Sequence, residues 1–169
     1  VELFQDAHDE PPEMIVLDVD ATDDAIHGKQ EGRFYHGYYR SYCYLPLYVT
    51  CGDFLLASQL NPADTDPAVF AVGEMDRIVR QIRQQWPHTE IIIRGDSGFA
   101  REDLMAWCES NELHYVLGMA KNDRLKAAIA DELEQVRQET EETGRPARRF
   151  RDFTYRTLNS WSRSRRLVG

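Results

Sequence analysis

Two short apolar runs in this chain lead into aspartate, and that pairing limits the folds open to it more than any other feature. The first, Met14 to Val19, reads Met-Ile-Val-Leu-Asp-Val and continues into Asp20. The second, Glu90 to Arg94, encloses consecutive isoleucines and runs into Gly95-Asp96-Ser97-Gly98. Both read as buried strands, because short continuous apolar runs bounded by polar or turn residues favour strand over helix. Side chains alternate along a strand, so Asp18 and Asp20 share one face of the first run while Leu17 and Val19 take the other.

Further elements fall in order along the chain. Residues 23–41 are rich in Gly, His, Tyr and charge and read as a long loop or irregular ribbon. Cys43 to Cys51 and Phe54 to Leu60 are strand-like runs joined at Gly52-Asp53, a good hairpin turn. Asp66-Pro67 opens a helix, with Asp as the cap and Pro at the first helical position. Met75, Ile78, Val79, Ile82 and Trp86 follow at helical spacing, and Pro87 stops the pattern. Arg101 to Asn111 reads as a short helix with Leu104, Trp107 and Cys108 inward, and Tyr115 to Met119 as a strand. Leu125, Ala128, Ile129, Leu133 and Val136 form another helical stripe before Gly144-Arg145-Pro146. Phe150 to Leu158 and Ser162 to Val168 pair as a last hairpin. Three consecutive strands followed by alternating helices and strands predict an α/β mixed sheet with flanking helices, an order that fits the ribonuclease H-like fold.

A chain of 169 residues suits one domain with one sizeable core. Residues 1–13 are polar, end in Pro11-Pro12, and read as a linker or the end of a preceding segment, leaving 14–169 as the domain. The start at Val1 suggests an excised piece of a longer protein. Cys43, Cys51 and Cys108 are odd in number and lack CxxC spacing, so they read as reduced thiols of a cytoplasmic protein. No apolar run approaches the roughly 20 residues needed to cross a bilayer, and no membrane association is expected. The formal charge of -9 argues weakly against a free-standing DNA-binding protein. The charge is uneven, however. Arg145, Arg148, Arg149, Arg163, Arg165 and Arg166 crowd the C-terminal end and form the best candidate contact to a DNA backbone.

Asp18-Val19-Asp20-Ala21-Thr22 and Arg94-Gly95-Asp96-Ser97-Gly98-Phe99 together resemble the DDE transposases of bacterial insertion sequences. The likeness extends through His27-Gly28-Lys29-Gln30, Cys43-Tyr44-Leu45-Pro46-Leu47, Tyr115-Val116-Leu117-Gly118 with Asn122, and Ser160-Trp161-Ser162-Arg163. It spans roughly residues 14–168. The resemblance implies metal-dependent DNA strand cleavage and strand transfer by two Mg²⁺ (or Mn²⁺) ions held by Asp, Asp and Glu. It selects Asp20 and Asp96 as catalytic metal ligands, with Asp18 as a possible supporting partner. It also implies transposon ends and target DNA as partners, a homodimer, and a cytoplasmic, nucleoid-associated location. The family's Glu lies further downstream than this chain reaches. Glu102, Glu109, Glu132 and Glu134 do not match its motif, so the chain by itself is expected to be inactive.

Blander or rival readings stay open at this level. An aspartate ending an apolar strand is often only a turn former or a cap. His27 and His36 could touch DNA or metal, or be exposed loop groups. Tyr35, Tyr38, Tyr39, Tyr42 and Tyr44 could stack on unpaired bases or pack at a core edge. Asp18-Val19-Asp20-Ala21-Thr22 also resembles the first motif of haloacid-dehalogenase-type phosphatases, which would make Asp18 a nucleophile. A third reading is a transposase remnant that binds DNA or a partner without cleaving.

Overall fold

The computed structural model describes residues 1–169. The chain divides into two compact units, Val1–Met119 and Ala120–Gly169.

The first unit is built on a five-stranded sheet. Its strands are β1 (Met14–Ala21), β5 (Leu47–Cys51), β6 (Phe54–Gln59), β7 (Glu90–Gly95) and β8 (His114–Leu117), in the order β6-β5-β1-β7-β8. β1 is central. It runs antiparallel to β5, which pairs antiparallel with β6, and parallel to β7, which pairs parallel with β8. The sheet is therefore mixed: a meander on one side, crossover connections through helices on the other. This agrees with the mixed sheet and flanking helices read from the sequence.

Alternation along the strands decides which face is covered. Ile15, Leu17 and Val19 of β1, Leu47 and Val49 of β5, and Ile91 and Ile93 of β7 are all buried. They share one core cluster with Ala71, Met75, Ile78, Val79 and Ile82 of α2 (Ala68–Gln85) and Leu104 and Cys108 of α3 (Glu102–Ser110). Burying one such aliphatic side chain contributes roughly 1.5–3 kcal/mol, so these two helices hold the sheet. α2 starts as expected: Asp66 accepts the Ala68 N–H at 3.0 Å, and Pro67 follows it with helical φ and ψ of -60° and -23°. Within α3, Met105 is buried, while Trp107 is only partly so.

Four local readings are revised. Residues 1–13 do not form a plain linker: α1 (Glu2–Asp6) carries Phe4, 2% exposed and stacked edge-on against Trp86 and Phe54. Residues 23–41 are not merely a loop. They supply β2 (Asp24–Ala25) and β3 (Phe34–His36), which flank β4 (Ser41–Tyr44) in a separate antiparallel sheet. The run from Cys43 to Cys51 is accordingly two strands in two sheets. Pro46 sits at the break, where a residue without an N–H cannot continue a ladder, and Leu45 instead donates to the Asn61 carbonyl at 2.8 Å.

The fourth revision concerns the second unit. The apolar stripe from Leu125 to Val136 is split between α4 (Asp123–Ala128) and α5 (Ala130–Thr143), because Ile129 leaves helical geometry at φ -116° and ψ 19°. Leu125 is buried, whereas α5 buries no residue. Asn122 caps α4 by accepting the Leu125 N–H at 3.0 Å, and Gly144 ends α5 at φ 64°, a conformation that favours glycine. β9 (Asp152–Tyr155) and β10 (Arg165–Val168) pair antiparallel, as the last hairpin predicts.

Candidate active site

The site begins with register. Asp18 is level with Arg94, and Val19 with Gly95, across the parallel β1–β7 ladder. Asp20 and Asp96 come next on the two chains, at the carboxyl end of the pair. Neighbouring strands lie about 4.8 Å apart, and ligand sites in open α/β sheets lie beyond the carboxyl ends of their strands.

Local packing sets the turn that carries Asp96. Its Oδ1 accepts the Gly98 N–H at 2.8 Å, and its carbonyl accepts the Phe99 N–H at 3.2 Å. Phe99 is 2% exposed and anchors the turn to the core. Gly95 permits the approach of β1: a methyl group there would lie 3.0 Å from Val19 Cγ1 and 3.3 Å from the Val19 carbonyl oxygen. Gly118 does the same from β8, where a methyl group would lie 3.0 Å from the Ser97 nitrogen and 3.2 Å from the Asp96 carbonyl carbon. The Gly118 N–H also donates to the Gly95 carbonyl at 3.0 Å. The Asp96 turn is thus held from both sides by residues without side chains.

Both aspartates are exposed. Asp20 Oδ1 accepts the Ala21 N–H at 2.9 Å, so each carboxylate spends one oxygen on a nearby backbone N–H. Asp18 is different. Arg94 donates to both of its oxygens, through Nε to Oδ1 and through Nη2 to Oδ2 at 2.7 Å.

A cavity of about 440 Å³ opens beside Asp96. His36, Tyr38 and Tyr39 of the small-sheet ribbon line it, together with Asp64, Asp66 and Arg101. Arg101 Nη2 donates to Asp66 Oδ2 at 2.7 Å. Tyr39 stands near the end of β1: burial chiefly, then the negative fields of Asp23, Tyr38 and Asp20, push its phenol above the usual value. His36 and Tyr39, read from sequence only as loop or stacking candidates, therefore belong to the same site. Asp64, Asp66, Arg101 and Gly118 had no separate functional signal, because their roles arise from loop packing rather than from any motif. His27 is exposed and does not line the cavity.

The residues suit a hard divalent cation: two exposed carboxylates on adjacent, rigid strand ends, each with an oxygen to spare. No group of three or more His, Cys, Asp or Glu side chains among the described residues is arranged to hold a metal ion.

The arginines of the second unit separate into kinds. Arg145 and Arg148 are exposed. Arg163 is exposed too, though engaged within the protein. Arg149 pairs with Glu139 at 3.1 Å, and Arg166 with Asp152 at 2.5 Å, which holds the Asp152 carboxyl below its usual value. Arg165 corrects the sequence reading. It is 6% exposed, with its guanidinium 5.4 Å from the Trp161 ring centroid, so its charge is not presented to a polyanion.

Comparison with known families decides the class. The description "Transposase DDE domain group 1" matches residues 1–169, the entire chain. The chain belongs to that family. No curated protein matches this DDE domain. Among solved structures it is similar to a piggyBac transposase, from the cryo-EM structure of its synaptic complex with hairpin DNA. The identity is 14%, the TM-score 0.52, and the match covers 94% of this DDE domain and 33% of the piggyBac chain. The likeness is one of fold, and the DDE domain spans about a third of that transposase's length. Its mixed sheet is the ribonuclease H-like arrangement. No helix is long and apolar enough to cross a membrane.

Proposed function

We propose that this chain supplies the catalytic core of a bacterial insertion-sequence transposase, with Asp20 and Asp96 as two of its metal ligands. The observation that carries the reading is the register of β1 and β7, which ends with Val19 level with Gly95 and so brings the two aspartates to one edge of the sheet. Family membership over the full chain supports the same class. When bound, Mg²⁺ or Mn²⁺ activates the attacking oxygen and stabilises the leaving 3′-oxygen.

The chain's own residues contribute position and charge. Asp20 and Asp96 offer oxygens from backbone that Gly95, Gly118 and Phe99 keep in place. Asp18 is a supporting group: its pairing with Arg94 neutralises a negative charge one pleat back from Asp20. That pairing also tells against Asp18 as a phosphatase nucleophile, since both its oxygens are already donated to. DNA, as transposon ends and target, is the partner of choice, with Arg145, Arg148 and Arg163 as backbone contacts aided by Arg149 and Arg166. The full protein works as a homodimer in the cytoplasm, associated with the nucleoid.

One observation favours a second reading. With no three-residue acidic group assembled, the chain alone holds too few ligands to fix two ions, and a displacement of about 1 Å at a reacting group can cost around 10²-fold in rate. The chain by itself then binds DNA or a partner without cutting. Incubating it, and separately a longer chain, with DNA carrying the element's ends and Mn²⁺ tests both. Cleavage only by the longer chain, lost in Asp96→Ala, supports the catalytic reading. Cleavage by residues 1–169 alone overturns the incomplete site. No cleavage by either leaves the non-catalytic reading standing and sinks the first.

A further inference from the structure

The arginines of the second unit differ in what holds them. Arg137, Arg149 and Arg166 each give their charge to a carboxylate, that of Glu134, Glu139 and Asp152 respectively. Arg124 and Arg156 are held by neutral groups instead. The Arg124 guanidinium lies over the Tyr155 ring, 5.0 Å from its centroid. Arg156 donates from Nε to the Trp161 carbonyl at 3.1 Å. Tyr155 and Trp161 are both buried, and their rings meet edge to face with centroids 5.8 Å apart. Asn122 donates from Nδ2 to the Tyr155 hydroxyl at 3.3 Å while its Oδ1 caps α4, which fixes the ring that Arg124 covers. Asp123, beside Arg124 in sequence, is taken up by Lys126 at 3.4 Å.

A ring or a carbonyl orients a guanidinium without cancelling its charge. Holding it in place also reduces the freedom lost when it binds, and its planar fork of N–H donors suits a bidentate oxyanion. Both side chains remain exposed. Two exposed, oriented and uncompensated guanidiniums around one aromatic pair match a ligand that carries repeated oxyanions. The DNA backbone presents one at every nucleotide, and arginine meets such phosphates through two parallel N–H donors.

We propose that Arg124 and Arg156, set around Tyr155 and Trp161, form a docking surface of the second unit for the backbone of duplex DNA, with Arg124 as its pre-oriented phosphate fork. Tyr155 and Asn122 are positioning residues: they act by holding Arg124. The surface reads no base sequence, because phosphate contacts fix register and orientation only. The proposal rests on the reading of the chain as part of a DNA-cutting enzyme, and it adds a grip on the duplex that needs neither Asp20 nor Asp96.

The test mixes residues 1–169 with a labelled duplex of arbitrary sequence and follows binding by fluorescence anisotropy over a salt series. Phenylglyoxal modification of the unsubstituted chain, mapped by mass spectrometry, reads which arginines the duplex protects. Duplex should protect Arg124 and Arg156, and polyglutamate at equal charge should not. Arg124→Ala should weaken binding by about 10-fold, as for a lost charge-assisted contact, and lower the salt slope by about one unit. Arg124→Lys keeps the charge and loses the fork, so the slope should return while the affinity recovers only in part. Arg137→Gln, which removes a carboxylate-paired cation, should change neither. Equal modification of Arg124 with and without duplex, equal protection by polyglutamate, full recovery in Arg124→Lys, or an equal loss in Arg137→Gln overturns the proposal. The protection pattern of the unsubstituted chain decides even where a variant folds poorly. Cleavage by a longer chain separates the two readings. Cleavage in Mn²⁺ with Arg124 unprotected removes only the docking surface. Protection without cleavage by either chain removes the catalytic reading and leaves the surface.

Discussion

Asp18 and Arg94 face each other across the β1–β7 ladder, and the guanidinium donates to both carboxylate oxygens. The pair ties together β1, which carries Asp20 near its end, and β7, which leads into the turn carrying Asp96. Both side chains are partly in water, 33% and 59% exposed, so the link is electrostatically modest. A double-mutant cycle with Asp18→Asn and Arg94→Gln, read by urea unfolding, should return only the small coupling of a solvent-screened surface pair, and a coupling as large as that of a buried pair would show that the link is desolvated. Asp18→Asn should also leave no phosphatase activity to lose. Turnover of an aryl phosphate that this substitution abolishes would make Asp18 a nucleophile after all.

Metal binding should depend on the two strand-end carboxylates and not on Asp18. Paramagnetic relaxation during a Mn²⁺ titration should show a weak site, as expected for so few protein ligands. Asp20→Ala and Asp96→Ala should each weaken it by at least about 10-fold, the lower end of what losing an outer-shell partner costs a metal site. Unchanged titrations in both variants would end the assignment.

Gly118 should matter although it carries no functional group. An added methyl would sit 3.0 Å from the Ser97 nitrogen and 3.2 Å from the Asp96 carbonyl carbon, both backbone atoms of the turn. Gly118→Ala is expected to cost about 1–3 kcal/mol through overpacking. Mn²⁺ affinity should fall with it while the circular dichroism of the fold persists. Normal affinity in a folded Gly118→Ala would show that the turn tolerates displacement.

Alkaline stability should report Cys108. Burial chiefly, with help from Glu109, pushes its thiol from 9.0 up to about 12. Between these values the folded chain keeps a proton that the unfolded chain has released. Stability from this group is therefore complete below about pH 9 and declines as pH rises toward 12, by at most about 1.4 kcal/mol per unit. Melting temperatures from pH 8 upward should fall less steeply in Cys108→Ala. Parallel slopes would show that other groups govern the alkaline limb. The native thiols of Cys43, Cys51 and Cys108 are buried and should resist a thiol reagent until denaturant is added.

The arginines should divide in a binding assay as they divide in space. Arg145→Ala and Arg148→Ala should each lower the salt dependence of DNA binding by about one unit of slope, as expected for lost phosphate contacts. Arg165→Ala should instead loosen the second unit by about 1–2 kcal/mol, through the lost stacking on Trp161. A large affinity loss in a folded Arg165→Ala would return that residue to the DNA surface.

Much of this was legible in the residues themselves. Strands β1 and β7 are local facts: each is an apolar run whose period assigns a buried and an open face, and each leads into an aspartate. The α2 cap at Asp66, the Gly52-Asp53 hairpin and the last strand pair are equally local, since turn and cap chemistry acts within a few residues. Tertiary structure decided what depends on distance along the chain. Register between β1 and β7, some 75 residues apart, comes from the packing of one sheet face on α2 and α3, and that register brings Asp20 and Asp96 to one edge. The segment 23–41 reads as a loop or irregular ribbon because β2 and β3 are short and mostly exposed, yet pairing around β4 turns it into a sheet that delivers His36 and Tyr39 to the cavity. Arg165 looks like any basic surface residue in the sequence. Only the fold, by closing β10 on β9 with Trp161 alongside, removes it from water and so from the exposed positive charge of the second unit.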